Sequence, residues 1–510
     1  MQSAATGPRT PSWRVTSCVS RTGRASRKRG RCWRPEVEHA FLLLLEAASV
    51  VSLVYFLALN SFYALLLVLS VPQILKHWEL FKDEELSGYL RAERLPPISV
   101  LVPAYNMGAS ILDSVECLLG LDYPRHEVVV VDDGSTDDTM AKLHKVYDLY
   151  EDAPTFEGPL KTQPVLGQYR SRTHPNLRVI QKANGGKSDA LNAALCSARY
   201  ELVLCVDADT LVEKDALLRL ARTFLIDSSV AAAGATIRVA NGCKLEGQRV
   251  VEARVPKTFL AGMQVPEYLR AFLFGRLGWN ALGGNLIVSG AFGLFRKAHL
   301  LAIGGYNVHS VGEDLDLVVR LHRYLREKGI DYSVPFIPDP IAWTIVPDDP
   351  GTLGRQRERW HRGLIVTLIK NLRLLCNPRY GKVGMIITPF FVFGEMLAPL
   401  VEFFGIVLTL IGLYVGVVNV EFALLFLAAC WGYGTLLTLA AVVMEEVTFR
   451  YYPRFGDFLR LVGFALLEPL GYRQATVVWR ARAFFKALVG STSWGAMRRR
   501  AFTTAAEGAR

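Results

Sequence analysis

Asp207 and Asp209 stand one residue apart, directly after an apolar run at 202–206. Two carboxylates so placed can share a divalent cation with a diphosphate, and the cation then offsets charge building on a leaving group. A D-x-D string alone is common; its place behind a strand-length apolar run gives it weight. Asn184-Gly185-Gly186-Lys187-Ser188 opens a stretch rich in Ala and Leu. Glycines at a helix start let backbone N–H groups approach an anion, the helix dipole adds positive potential, and Lys187 adds a point charge. A plain turn with a solvated lysine is the blander alternative, and the spacing is not that of a Walker A loop. Val-Pro-Ala-Tyr-Asn at 102–106 and Val-Asp-Asp-Gly-Ser at 131–135 each close an apolar run. A carboxylate there can accept a hydrogen bond from a base ring N–H, or form an Asx turn and cap a helix. In Gly312-Glu313-Asp314, Asp314 has the chemistry of a general base towards a hydroxyl. In Gln356-Arg357-Glu358-Arg359-Trp360, Arg359 suits a diphosphate and Trp360 a sugar ring. A helix cap at Asp314 and an amphipathic-helix anchor at Trp360 are the competing structural roles.

To converge, these groups need a scaffold that brings several loops to one edge. The runs at 98–102, 128–131, 177–180 and 202–206 are strand-length and apolar, and each ends near Asp, Asn or Gly. Helix-like stretches at 110–120, 137–150 and 188–198 lie between them. This alternation predicts a mostly parallel α/β sheet with flanking helices, whose ligands bind at the carboxyl ends of the strands. The proline-rich stretch 153–175 reads as a surface excursion from that sheet.

Outside this region the chain is apolar, and mean hydropathy over the whole is +0.23. The run 41–71 exceeds the roughly 20 residues needed to span a bilayer, and it is too long for a cleaved signal peptide. We expect a disordered basic tail at 1–38, an N-terminal transmembrane region at 39–75 and a catalytic domain at 96–362. Interfacial helices at 363–400, two transmembrane helices at 401–446, an interfacial or re-entrant segment at 455–490 and a basic tail at 491–510 follow. The formal charge of +11 sits in the tails: residues 1–34 hold nine Lys/Arg and no Asp/Glu. Basic tails beside apolar spans fit anionic membrane lipids and orientation signals, and no nucleic-acid partner is expected. The eight cysteines show no paired spacing, which fits a reducing compartment. Two crossings after the catalytic domain return the chain to the catalytic side, which the basic C-terminal tail marks as cytoplasmic. A single crossing by 41–71 puts the basic N-terminal tail on the other side, against the positive-inside tendency: either that run is a hairpin turning at Asn60, or the tail is an exception, or it is not translated.

Taken together, the ordered set of Asp, D-x-D, G-E-D and Q-x-x-R-W resembles the GT-A-fold family 2 glycosyltransferases, in particular the membrane synthases of cellulose, chitin, hyaluronan and poly-N-acetylglucosamine. The resemblance covers residues 96–360. It implies that Ala104, Tyr105, Asp132 and Asp133 line a uridine pocket, and that Lys187 and Arg359 face the diphosphate. It further implies that Asp207 and Asp209 hold the nucleotide and Mg²⁺ or Mn²⁺, and that Asp314 is the base. Glu313, Gln356 and Trp360 would lie near the acceptor, and the stretch containing Gly290, Ala291 and Phe292 beside the acceptor sugar. The family's usual threonine before Glu-Asp is Gly312 here, and the gating motif F-x-V-T-x-K of the cellulose synthases has no match.

The expected activity is inverting transfer from a UDP-sugar donor to a saccharide or lipid acceptor by a multi-pass protein of the cell (inner) membrane with a cytoplasmic catalytic domain. Processive synthesis of a β-linked polysaccharide with coupled export is favoured. Single-sugar transfer to a membrane lipid is the rival, and a silent sugar-nucleotide-binding subunit is disfavoured by the intact Asp207, Asp209 and Asp314.

Overall fold

The four apolar runs with strand periodicity become strands β1 (Ile98–Ala104), β2 (His126–Asp133), β5 (Leu177–Lys182) and β6 (Leu202–Val206) in the computed structural model of the chain. It describes residues 35–82, 95–152, 158–246, 249–416 and 418–489; the expected tail at 491–510, and 1–34 of the one expected at 1–38, lie outside the described residues. The chain divides into a short N-terminal unit, residues 1–44, and a main body, residues 45–510, and the account below concerns the main body.

The remaining strands are β3 (Leu149–Glu151), β4 (Val165–Ser171), β7 (Leu211–Val212), β8 (Ala232–Val239), β9 (Lys244–Glu246), β10 (Arg249–Glu252), β11 (Phe292–Arg296) and β12 (Phe336–Thr344). Ten of them form one mixed sheet in the order β3-β4-β5-β2-β1-β6-β11-β8-β12-β7, and β9 and β10 pair separately. The centre, β5-β2-β1-β6, is parallel throughout, as the strand-helix alternation predicts. Beyond it β11 runs antiparallel to both β6 and β8. The expected surface excursion at 153–175 is corrected in part: β4 lies antiparallel to β5 and extends the sheet.

Period-two alternation along the central strands divides the core into two layers. Val100, Val102, Val128 and Val130 pack on one face with Ile111 and Val115 of the helix Ile111–Leu119. Leu101, Val129 and Val131 pack on the other with Ala190 and Leu191 of the helix Lys187–Ser197 and Leu317 and Leu321 of the helix Glu313–Glu327. Because β1, β2 and β6 are parallel, their carboxyl ends share one edge, and the two helices begin at that edge.

Three helices are long and apolar enough to cross a membrane: Leu43–Glu79, Val383–Val415 and Val420–Thr448. The first belongs to a helix that runs through Asn60 without a turn, so the hairpin alternative is corrected. Asn60 instead donates to the Ala429 carbonyl at 2.7 Å. The second begins at Val383, inside the stretch 363–400 expected to be interfacial. Its prolines do not end it, because Pro399 occupies the first turn of Ala398–Val415 and Pro389 precedes the π-helical segment Phe390–Met396. The stretch 455–490 forms two helices, Phe455–Leu467 and Tyr472–Leu488.

A buried ion pair ties sheet to membrane-side helix. Arg238 of β8 and Glu445 of the helix Tyr433–Thr448 are each 2 % exposed and approach at 2.9 Å through two nitrogen–oxygen contacts. The Tyr451 ring lies 4.2 Å from the guanidinium carbon. Removing one member strands a buried charge, at about 3–5 kcal/mol. Glu445→Gln is therefore expected to lower the thermal unfolding temperature of the detergent-solubilised protein, and the double substitution with Arg238→Met to recover most of that loss. A double variant no more stable than the single one would contradict the pairing.

Candidate active site

At the carboxyl edge of the sheet a cavity of about 1760 Å³ opens, walled by the ends of β1, β2 and β6, the starts of two helices and the helix Pro350–Lys370. Ala104 and Tyr105 leave β1 at its rim, and the Tyr105 side chain is exposed. At the end of β2, both oxygens of Asp133 are held. Oδ1 accepts from Lys182 Nζ at 2.6 Å and Gly185 N at 3.0 Å, and Oδ2 accepts from Gly186 N at 2.7 Å. Lys182, fully buried, also contacts Asp189 at 2.6 Å. This lysine between two carboxylates fixes the Asn184–Gly186 turn, and so the position at which the next helix begins. A positive φ of +87° at Gly186 lets the turn form, and Gly134, at φ +70° after β2, lets it approach, since a Cβ there would lie 2.8 Å from Asn184 N.

Lys187, the first residue of that helix, sends Nζ to Asp207 Oδ1 at 2.6 Å and Glu313 Oε1 at 3.0 Å. Burial opposes its charge, but the two carboxylates outweigh burial and hold the ammonium well above the ordinary lysine range. Burial pushes Asp207 up to about 6 despite Lys187, with Asp209 adding to the rise. Glu313 goes the other way: burial works against it, yet Lys187 brings it below the usual carboxylate range. Asp314, next in the chain, is raised by burial and by the Glu313 charge, with Lys187 opposing. Its Oδ2 accepts from Gly290 N at 3.1 Å and its Oδ1 from Leu315 N at 2.8 Å. The loop at 289–291 is pinned in turn, since Asp207 N donates to the Ala291 carbonyl at 3.4 Å and Lys187 Nζ to that of Gly290 at the same distance.

The helix Pro350–Lys370 carries Gln356, Arg359 and Trp360 to the opposite wall. Trp360 meets Phe272 edge-on with ring centres 6.2 Å apart, and the Arg357 guanidinium lies 4.7 Å from its ring centre. Arg357 is itself paired with Glu267 at 2.9 Å. The helix comes so near the Glu313 turn that a Cβ on Gly363 would lie 2.9 Å from the Gly312 Cα.

The cavity wall brings together Ala104, Tyr105, Asp133, Lys187, Asp207, Asp209, Gly290, Ala291, Glu313, Asp314, Gln356, Arg359 and Trp360. It does not include Asp132 or Phe292. Alternation turns Phe292 of β11 into the core, and Asp132 lies fully buried behind the wall. Asp132 Oδ1 has no hydrogen bond among the described residues, and burial raises its pKa.

A hard divalent cation fits the oxygen donors of Asp207 and Asp209. Asp209 takes no hydrogen bond or ion pair among the described residues, which leaves its carboxylate available. The described residues include no group of three or more His, Cys, Asp and Glu able to hold a metal. Two carboxylates with substrate phosphates and water suit Mg²⁺ or Mn²⁺ better than an all-protein cage.

Several site residues carry little sequence signal. Lys182 ends a strand and reads locally as solvated. Arg270, Glu395, Glu402, Glu468, Arg473 and Arg480 line the cavity's membrane-side end. Some of these charges interrupt otherwise apolar stretches, which is a visible clue. They form the pairs Arg270–Glu468 at 3.0 Å, Arg473–Glu402 at 2.9 Å and Arg480–Glu395 at 3.3 Å.

The site thus joins an acid-rich edge, a half-buried carboxylate at Asp314 and an aromatic far wall in one cavity. Two family models match the chain, Glycosyl transferase family 2 over residues 99–155 and Glycosyl transferase family group 2 over residues 202–444. The chain is a family 2 glycosyltransferase. It is similar to the poly-beta-1,6-N-acetyl-D-glucosamine synthase of Staphylococcus epidermidis, at 27% identity over 271 residues, 53% of this chain and 55% of that protein. The enzyme of the same name from Staphylococcus aureus strain COL is 26% identical over 274 residues, 54% of this chain and 56% of that protein. The chain thus spans about half the length of the curated relatives it matches. Among solved structures, the mannosyltransferase PcManGT from Pyrobaculum calidifontis in complex with GDP-Man and Mn²⁺ is 18% identical with a TM-score of 0.45, covering 80% of this chain and 99% of that chain.

Lys182 gives a direct test of the turn. Lys182→Met leaves Asp133 and Asp189 buried without their cation, at about 3–5 kcal/mol, or roughly 10 °C in unfolding temperature. Thermal unfolding and UDP titration are expected to show both lower stability and weaker nucleotide binding. Unchanged nucleotide affinity would detach the turn from the site.

Proposed function

We propose that the chain transfers a sugar, with inversion, from a UDP-sugar to a growing β-linked polysaccharide at the cytoplasmic membrane face, with chain growth processive and coupled to export. The observation that carries this reading is the placing of Asp314. A half-buried carboxylate, fixed by the Gly290 N–H, shares one cavity with Asp207 and Lys187 on one side and with charged residues among the apolar helices on the other. The relatives' names point to an N-acetylglucosamine donor. The three apolar helices support membrane attachment, and the basic C-terminal end supports the cytoplasmic side.

In this reading Ala104, Tyr105 and Asp133 border the uridine, with Asp132 behind them, while Lys187 and Arg359 face the diphosphate. Asp207 and Asp209 would hold Mg²⁺ or Mn²⁺, whose charge helps the diphosphate leave. Glu313 keeps the Lys187 ammonium in place. Trp360 offers a ring surface to the acceptor, with Gln356 beside it and Gly290 and Ala291 across the cavity. Asp314 takes the proton of the acceptor hydroxyl as that oxygen attacks the anomeric carbon opposite the departing UDP. One displacement converts an α-linked donor into a β-glycoside.

The test is turnover by the full-length protein in lipid nanodiscs with Mg²⁺ and a panel of UDP-sugars. Polymer is expected with UDP-N-acetylglucosamine; a lipid carrying one sugar would overturn processivity, and no turnover with any donor would sink the reading. General-base catalysis supplies about 10²–10⁴ in rate, so Asp314→Asn is expected to cut transfer at least about 100-fold. A base acts only when deprotonated, and burial and the Glu313 charge raise Asp314. The pH–rate profile is therefore expected to fall on the acid side, with an inflection above the ordinary carboxylate range that is absent in the Asn variant.

A further inference from the structure

Arg276 is a cation on the cavity wall with no carboxylate partner among the described residues. Arg276, in the helix Gly275–Leu282, lines the cavity half-buried, and its guanidinium makes no hydrogen bond or ion pair among the described residues. Two rings hold it instead, with the guanidinium carbon 5.0 Å from the ring centre of Phe272 and 5.3 Å from that of Phe336. Other arginines of the wall are occupied: Arg357 by Glu267, Arg270 by Glu468, Arg473 by Glu402 and Arg480 by Glu395.

Burial lowers the guanidinium to about 10, with Asp314 and Tyr268 pulling the other way, so it stays charged at neutral pH. Its N–H donors are half-screened from water and without a protein acceptor among the described residues, and their planar fork suits a ligand that brings oxygen acceptors.

The surroundings narrow what that ligand is. Arg276 contacts Phe272, Phe272 meets Trp360, and Trp360 carries Arg357. Cation and ring alternate along the wall, from the charge field of Asp314 to Glu267 and Tyr472. A pyranose presents C–H faces to rings and hydroxyl or amide oxygens to N–H donors, so this alternation matches a sugar chain. The diphosphate is the less fitting occupant. Asp314 is the carboxylate whose charge acts on Arg276, whereas the D-x-D pair already has Lys187.

We propose that Arg276 is a positioning and specificity residue for the acceptor, donating hydrogen bonds to hydroxyl or acetamido oxygens of its terminal sugar and so holding the attacking hydroxyl against Asp314. This rests on the reading of the site as one that transfers to a saccharide.

The experiment uses the full-length protein in nanodiscs, with UDP-N-acetylglucosamine as donor and a short β-linked N-acetylglucosamine oligosaccharide as acceptor. Arg276→Met is expected to raise the acceptor KM about tenfold or more, the loss of a charge-assisted hydrogen bond, while the donor KM and the Kd for UDP stay within about twofold. Arg276→Lys keeps the charge and loses the fork, so a smaller rise in acceptor KM alone is expected; this variant decides the matter if the methionine variant fails to fold. Donor and acceptor KM rising together would move Arg276 to the diphosphate and overturn the proposal. So would unchanged constants in both variants. Wild-type transfer to lipid but to no saccharide would sink the underlying reading, and the role of Arg276 with it. Normal wild-type polymerisation beside an unaltered acceptor KM in the variants would overturn the Arg276 role alone.

Discussion

Four carboxylates, Asp207, Asp209, Glu313 and Asp314, crowd one cavity wall, and the Lys187 ammonium does most to make that crowding tolerable. Lys187 Nζ sits between Asp207 and Glu313 at 2.6 and 3.0 Å. Without it, burial and mutual repulsion would drive these groups towards their neutral forms. Lys187 acts from a fixed point because it opens a helix, and that opening is set by the Gly185 and Gly186 N–H groups bound to Asp133. The end of β2, the D-x-D turn and the helix Glu313–Glu327 thus meet at Lys187. Its neighbours receive unlike pKa shifts: Glu313 is held anionic while Asp314 is raised. That separation suits one carboxylate for anchoring and the other for receiving a proton.

The parallel centre of the sheet is legible in the sequence because local signals agree there. Four apolar runs each end in polar turn residues, and parallel strands must align those ends on one edge. The D-x-D and G-E-D strings then fall where chemistry is possible. What escapes reading depends on distant partners. Lys182 looks like a solvated strand-end lysine, and only the fold buries it between Asp133 and Asp189. Arg276 sits in a stretch whose aromatic residues suggest nothing but packing. Phe292 follows Gly290 and Ala291 in sequence, yet strand alternation turns it away from them. At β4, proline and polar residues suggested a loop, and pairing with β5 overrode that local preference. Asn60 misled similarly, since a polar residue in an apolar run can find a carbonyl on a neighbouring helix and need not mark a turn.

Among the apolar helices, the charges that weaken the hydropathy pattern become organising features. Glu395, Glu402 and Glu468 each meet an arginine, so the cavity wall there is polar while its fixed charges are locally matched. Tyr63 adds a hydrogen bond to Glu395 at 2.5 Å from the first apolar helix. Matched pairs leave little net field to trap an ion, yet provide donors and acceptors along the wall.

The helix Pro350–Lys370 is pared to its backbone at two places. Gly363 meets Gly312 on one side, and a Cβ at Gly354 would lie 2.8 Å from Trp479 Nε1. Nine residues separate the two glycines, about two and a half turns, so they face opposite sides of the helix. Where it lies between the Gly312–Asp314 turn and the Tyr472–Leu488 helix, this element is therefore close to the least thickness a helix can have. It works as a gauge block: the spacing between that turn and the Tyr472–Leu488 helix is set by main chain, which cannot change rotamer, and any added side chain would widen the gap.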